Sequence, residues 1–238
     1  MYQERRYRDW IREDDLLRQE VRVGETDLLI LAEGDLRKEA ICAVKEARRQ
    51  IEEYIKEDPS FASSLTPIKV REDAPFLIKE MALSALSCKV GPMAAVAGAI
   101  SEYVGRRLLP YSKEVIVENG GDIFMATSRP RKIGIYAGSS TFTGSLSLKV
   151  EPGQTPLSIC TSSGTVGHSL SFGKSDAVVV LSKNGALADA AATRIGNAIK
   201  EKKDIDRGIK LAKKIKGIEG VLIIVSDSLG VFGDVKLG

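Results

Sequence analysis

Several things are scarce or missing in this chain of 238 residues. Cysteine is one. Cys42, Cys88 and Cys160 are odd in number, far apart and outside any metal-ligand spacing, which argues against a disulfide framework and for reduced, buried thiols. An excess of one charge is another. Thirty-five basic residues face thirty-two acidic ones, and a formal charge of +3 is too small to mark a nucleic-acid surface. Long hydrophobic runs are also missing: no stretch approaches the roughly 20 apolar residues that a spanning helix needs. The first residues, MYQERRYRDWIREDDLLRQ, are charged throughout and lack the apolar core of a secretion signal. These features give the expectation of a cytoplasmic protein that contacts neither membrane nor nucleic acid. Low-complexity linkers and letter-level repeats are absent too. One domain spanning 1–238 is therefore expected, with two interleaved subdomains as the variant, residues 20–110 mainly helical and 111–238 mainly β with helices.

What is present is ample apolar content, 43% of residues, in two periodicities. Asp27 to Ala32 (DLLILA) has strand length. From Asp35 to Lys56, apolar residues recur at steps of three and four, which predicts a long amphipathic helix. The turn formers of DPSFASSLTP, 58–67, predict a loop, followed by a helix with Asp73 as N-cap and Pro75 close behind. Val90 to Leu109 is helical in pattern and rich in Gly and Ala. Its start at Gly91 and Pro92 either offers free N–H groups to an anion or simply packs tightly in the core. If that small-residue face is exposed, it suits a homodimer contact; a symmetric dimer is the default expectation. Beyond Pro110 the pattern turns to β, with strands predicted at 114–117, 123–126, 133–137, 146–150, 157–160 and 177–181. Helices at 187–200 and 206–215 and a strand beginning at Val221 follow, with a further edge strand in the C-terminal GVFGDVKL. The fold class is α/β in the α+β sense, a mixed β-sheet packed with helices.

Three clusters carry chemistry. Asn119-Gly120-Gly121-Asp122 lies between two predicted strands, where paired glycines make a hairpin turn or leave amides open to a ligand. Thr161-Ser162-Ser163-Gly164-Thr165-Val166-Gly167-His168 follows a strand and holds the only histidine of the chain. Its hydroxyls and amides suit phosphate oxygens, and His168 suits proton transfer near neutral pH; the same residues also make an ordinary polar loop. Asp189 and Thr193 in ADAAAT stand four apart on one helical face and suit magnesium beside a nucleotide. Equally, Asp189 would favour its own helix N-terminus while Thr193 packs. The Lys200–Lys216 run, with eight basic residues and three acids, reads as a solvated helix face.

In order, Asn119-Gly120-Gly121-Asp122, Thr161-Ser162-Ser163-Gly164 with His168, and Ala188-Asp189-Ala190-Ala191-Ala192-Thr193 resemble three signatures of the ApbE superfamily, the FAD:protein FMN transferases. GPMAAVAG, 91–98, takes the place of that family's G-x-x-K-G-like segment without its lysine, and the similarity spans about 90–199. The resemblance implies Mg2+ at Asp189 and Thr193 and a transferase or hydrolase acting on FAD or another nucleotide pyrophosphate, in the transferase case with an acceptor protein whose Thr or Ser hydroxyl receives FMN as AMP leaves. It further implies catalytic roles for His168 and Asp189. Asn119 to Asp122 and Thr161 to Gly164 would contact the nucleotide. The chain is shorter than typical transferases, and the sequence after His168 differs, so a cytoplasmic branch with a remodelled pocket is expected. A flavin or nucleotide binder without catalysis is the alternative, and a protein-interaction role for the N-terminal arm or the Lys200–Lys216 face a third.

Overall fold

The computed structural model describes residue 8 and residues 15–165 and 172–238. Eight strands form one sheet in the order β1 (Leu17–Val23), β2 (Thr26–Ala32), β3 (Val115–Asn119), β4 (Asp122–Ala126), β7 (Leu157–Ser162), β8 (Ala177–Ser182), β9 (Ile218–Val225), β10 (Ser228–Gly233). Every pairing in it is antiparallel. Between β4 and β7 the chain makes a separate two-stranded sheet of β5 (Arg131–Gly134) and β6 (Ser147–Val150).

Period-two alternation puts the core on both faces of the large sheet. Leu28 and Ile30 of β2, Val115 and Val117 of β3, Val178 and Val180 of β8, and Val221 and Ile223 of β9 face the helices. Their sequence neighbours Leu31, Ile116, Val179 and Leu222 point the other way, toward Ile135, Leu148 and Val150 around the small sheet. Burial on both faces explains why DLLILA and AVVVL read as unbroken apolar runs.

The helical layer contains α1 (Arg37–Glu57), the single turn α2 (Ser60–Ser63), α3 (Phe76–Cys88), α4 (Val96–Leu108), α5 (Gly185–Ala198) and α6 (Ile205–Ala212). Predicted elements shift at three helix starts. α3 begins after Pro75, which occupies the N-cap position that was expected of Asp73; proline's fixed φ suits the entry, and no side chain caps it. The helix predicted from Val90 is a 3-10 turn at Pro92–Ala95 followed by α4, so its first α-helical amides lie at Val96 to Gly98. α5 starts at Gly185, with Asn184 as a side-chain N-cap accepting from the Leu187 amide at 2.8 Å. β1, which the sequence reading did not predict, pairs with β2 and buries Val21.

A repeat invisible in the letters shows in the topology. Each half of the large sheet is two antiparallel strands, then helices, then two antiparallel strands: β1, β2, α1 to α4, β3, β4 in one and β7, β8, α5, α6, β9, β10 in the other. The halves meet where β4 pairs with β7 and where α4 packs on α5.

Candidate functional site

The site forms at that meeting line. Residues 119–122 close the β3–β4 hairpin as a two-residue turn, with Asn119 opposite Asp122. Gly120 and Gly121 have φ of +67° and +102°, the left-handed conformations that this turn type requires. The hairpin reading is therefore right, and the turn also positions side chains. The Asn119 amide donates to the Ala97 carbonyl at 3.1 Å, and Asp122 Oδ1 accepts from the Thr161 amide at 2.9 Å. Glu118 Oε1 accepts from the Gly121 amide at 2.7 Å, and the guanidinium of Arg8, buried beneath, pairs with Glu118 at 2.6 Å and with Asp27 at 2.9 Å.

Asp189 projects from the second turn of α5 to the N-terminus of α4. Its Oδ2 accepts from the amides of Ala97 at 3.1 Å and Gly98 at 3.0 Å, so it caps a neighbouring helix and not its own. Glu102 of α4 makes the reciprocal bond, accepting from the Gly185 amide, the first of α5, at 2.5 Å. Such mutual capping requires the two backbones to touch. A Cβ built on Gly98 would stand 2.3 Å from the Gly185 carbonyl oxygen, and one on Gly185 would stand 2.5 Å from that of Gly98. The small residues of 91–100 serve this crossing. None is exposed, so the exposed Gly/Ala face suited to a homodimer is not there.

Burial pushes the Asp189 carboxyl up to about 7 against the pull of its two amide bonds. Asp122 is raised well above its ordinary value, first by burial and then by the Asp189 charge; the Cys160 thiol, raised in the same way, lies beside both. Asp189 Oδ1 and the Thr193 hydroxyl have no hydrogen-bond partner among the described residues, and neither atom is sealed from solvent. One carboxylate oxygen and one hydroxyl, four residues apart on one face of α5, are thus left without a protein partner among the described residues. No group of three or more His, Cys, Asp or Glu side chains is gathered for a metal among the described residues. This donor set fits a magnesium ion that keeps waters and takes further oxygens from a phosphate, and does not fit a structural zinc.

Of the predicted site residues, the structure brings together Asn119, Asp122, Thr161 and Asp189, with Thr193 one turn along. Gly120 and Gly121 shape the turn. The amides of Thr161 and Gly164 are spent internally, on Asp122 and on the Ser175 carbonyl at 2.9 Å, and the Ser163 hydroxyl accepts from the Thr165 amide at 3.1 Å. Ser162 stands at the end of β7, facing Val178 in the ladder. His168 lies outside the described residues. Sequence reasoning missed Glu102, Cys160 and Asn184. Asn184 had a legible signal, an N-cap residue before a small-residue helix, whereas Glu102 and Cys160 acquire their roles only by proximity.

The helix-backed antiparallel sheet is the fold of solved ApbE structures. The family model described as "AbpE bacteria" matches residues 8–217, and the chain belongs to that family. It is 40% identical over 220 residues to a UPF0280 protein of Methanocaldococcus jannaschii, covering 90% of this chain and 89% of that one. A UPF0280 protein of Methanococcus aeolicus is 42% identical over 193 residues, covering 79% and 78%. Among solved structures, the flavin transferase ApbE from Vibrio cholerae superposes with a TM-score of 0.59 at 15% identity, covering 91% of this chain and 96% of that one. The ApbE protein from Thermotoga maritima gives 0.56 at 13% identity, covering 90% and 96%.

Proposed function

We propose that this protein is a magnesium-dependent, cytoplasmic flavin transferase that takes FAD and passes FMN to a Ser or Thr hydroxyl of an acceptor protein. The observation that carries this reading is the state of Asp189. One carboxylate oxygen is fixed by two helix amides, while the other oxygen and the Thr193 hydroxyl, on two partly exposed residues one helical turn apart, make no hydrogen bond among the described residues. Family membership and the superposition on a flavin transferase from Vibrio cholerae support it.

A magnesium ion held by Asp189 and Thr193 would supply positive charge to the diphosphate. The protein's part is to orient that diphosphate, with the Asp189 carboxyl held in place by the Ala97 and Gly98 amides and the Asp122 carboxyl by the Thr161 amide. In the transfer, the acceptor oxygen bonds to the FMN phosphorus while the bond from that phosphorus to the AMP oxygen breaks. The hydroxyl proton passes to a base, for which His168 is the candidate that the family resemblance names.

The test is incubation of the protein with FAD, with and without magnesium, following AMP and retained ligand by mass spectrometry. AMP that appears only with magnesium, and is lost in a folded Asp189→Asn variant, is the expected result. Bound FAD with no AMP would favour a binder without catalysis, and full magnesium-dependent turnover by Asp189→Asn would overturn the metal role.

A further inference from the structure

We propose that the open side of α5 is the nucleotide groove of this protein, with Arg194 gripping phosphate and the Phe172 ring stacking on an aromatic ring of the nucleotide. The inference rests on the flavin-nucleotide reading above and names the residues of this chain that would recognise such a substrate beyond the metal corner.

Nine of the fourteen residues of α5 are buried. The other five, Asp189, Thr193, Arg194, Asn197 and Ala198, are partly exposed, and at 100° per residue they fall within an arc of about 180°, one side of the helix. They form one accessible strip that begins in the carboxylate corner. Arg194 stands at its edge, with its charge felt at the Cys88 thiol at the end of α3, where the Asp189 charge is felt as well. Among the described residues its guanidinium has neither a hydrogen bond nor an ion pair, whereas those of Arg8, Arg48, Arg49, Arg71 and Arg131 are all ion-paired. A planar donor left unpaired next to a site for phosphate is the usual means of holding two phosphate oxygens at once.

Phe172 occupies the other end of the strip. Its amide donates to Asn197 Oδ1 at 2.8 Å, its carbonyl accepts from Lys200 Nζ, and two residues on, the Lys174 amide donates to the Ile199 carbonyl at 2.8 Å. The backbone is therefore tethered to the end of α5 while the residue stays 53% exposed. A large ring so held leaves apolar surface in water that packing would otherwise bury, and stacking on a planar ligand would cover it. Eight residues of helix rise separate Asp189 from Asn197, about 12 Å, on the scale of the span from a diphosphate to a ring at the end of a dinucleotide.

Binding of FAD, ADP and riboflavin to the full chain, in EDTA, by calorimetry would test this. Phe172→Ala should weaken FAD on the order of ten-fold, with Phe172→Trp restoring it. Arg194→Gln should weaken FAD and ADP by a similar factor, with Arg194→Lys recovering only part, and should leave riboflavin, which has no phosphate, unchanged. Both residues are partly or largely exposed, so melting temperatures should match wild type. Wild-type FAD binding that neither variant disturbs would overturn the groove and leave the transferase reading standing. A wild-type protein that binds none of the three, either in EDTA or with magnesium added back, would overturn both.

Discussion

Replacing Asp189 by Asn separates its charge from its capping geometry. The folded-state pKa lies above the ordinary value of 3.8, at about 7, so the folded protein holds the proton more tightly than the unfolded chain. Stability from this group is then highest below pH 4, falls as pH rises through 4 to 7, and stays low above that. A rise from 3.8 to about 7 corresponds to at most roughly 4 kcal/mol over the window, shared in practice with Asp122. The carboxamide of Asp189→Asn would keep an oxygen for the Ala97 and Gly98 amides and carry no charge. Urea denaturation in EDTA at intervals from pH 5 to 8 should show the stability of Asp189→Asn minus wild type rising with pH, with the variant the more stable at pH 8. Asp189→Ala, which leaves both amides unsatisfied, should fall below Asp189→Asn by about 1–3 kcal/mol. Millimolar magnesium at pH 8 should stabilise wild type and not Asp189→Asn, because an ion that binds only the folded state shifts the equilibrium toward it. A difference that is flat or falls with pH would refute the assignment of a buried, proton-holding carboxyl at this position.

The helix crossing is equally testable. Gly98→Ala places a methyl 2.3 Å from a carbonyl oxygen and should cost about 1–3 kcal/mol or more in thermal melts, while Gly34→Ala, with nothing within 4 Å, should be nearly neutral. Arg8→Met removes one buried ion-pair partner each from Asp27, which keeps Arg22, and from Glu118, and should cost about 3 kcal/mol in chemical denaturation; an unchanged midpoint would show that the buried pairs contribute nothing to stability.

The hydrophobic periodicities of the sequence located α1, β2, β8 and β9 closely, because burial of a sheet on two faces or of a helix on one leaves a local trace that needs no partner to be read. β1 left a weaker trace: only Val21 of its apolar residues is well buried, and an edge strand with charged outward positions looks like any polar segment. The turn at 119–122 was legible because two successive glycines meet a backbone requirement of their own. Asp189 and Thr193 were recognisable as a pair by spacing and by resemblance, yet the partner of Asp189 was not, since the amides it caps lie more than 90 residues earlier in the chain. Sequence determines what depends on neighbours in the chain: period, turn chemistry and the presence of a carboxylate with a hydroxyl one helical turn away. Only the tertiary structure decided that α4 and α5 exchange caps at a glycine contact, that Asp122 and Asp189 share one desolvated corner, and that Arg194 and Phe172 lie along the same open strip, because burial and charge coupling depend on distances that chain order does not encode.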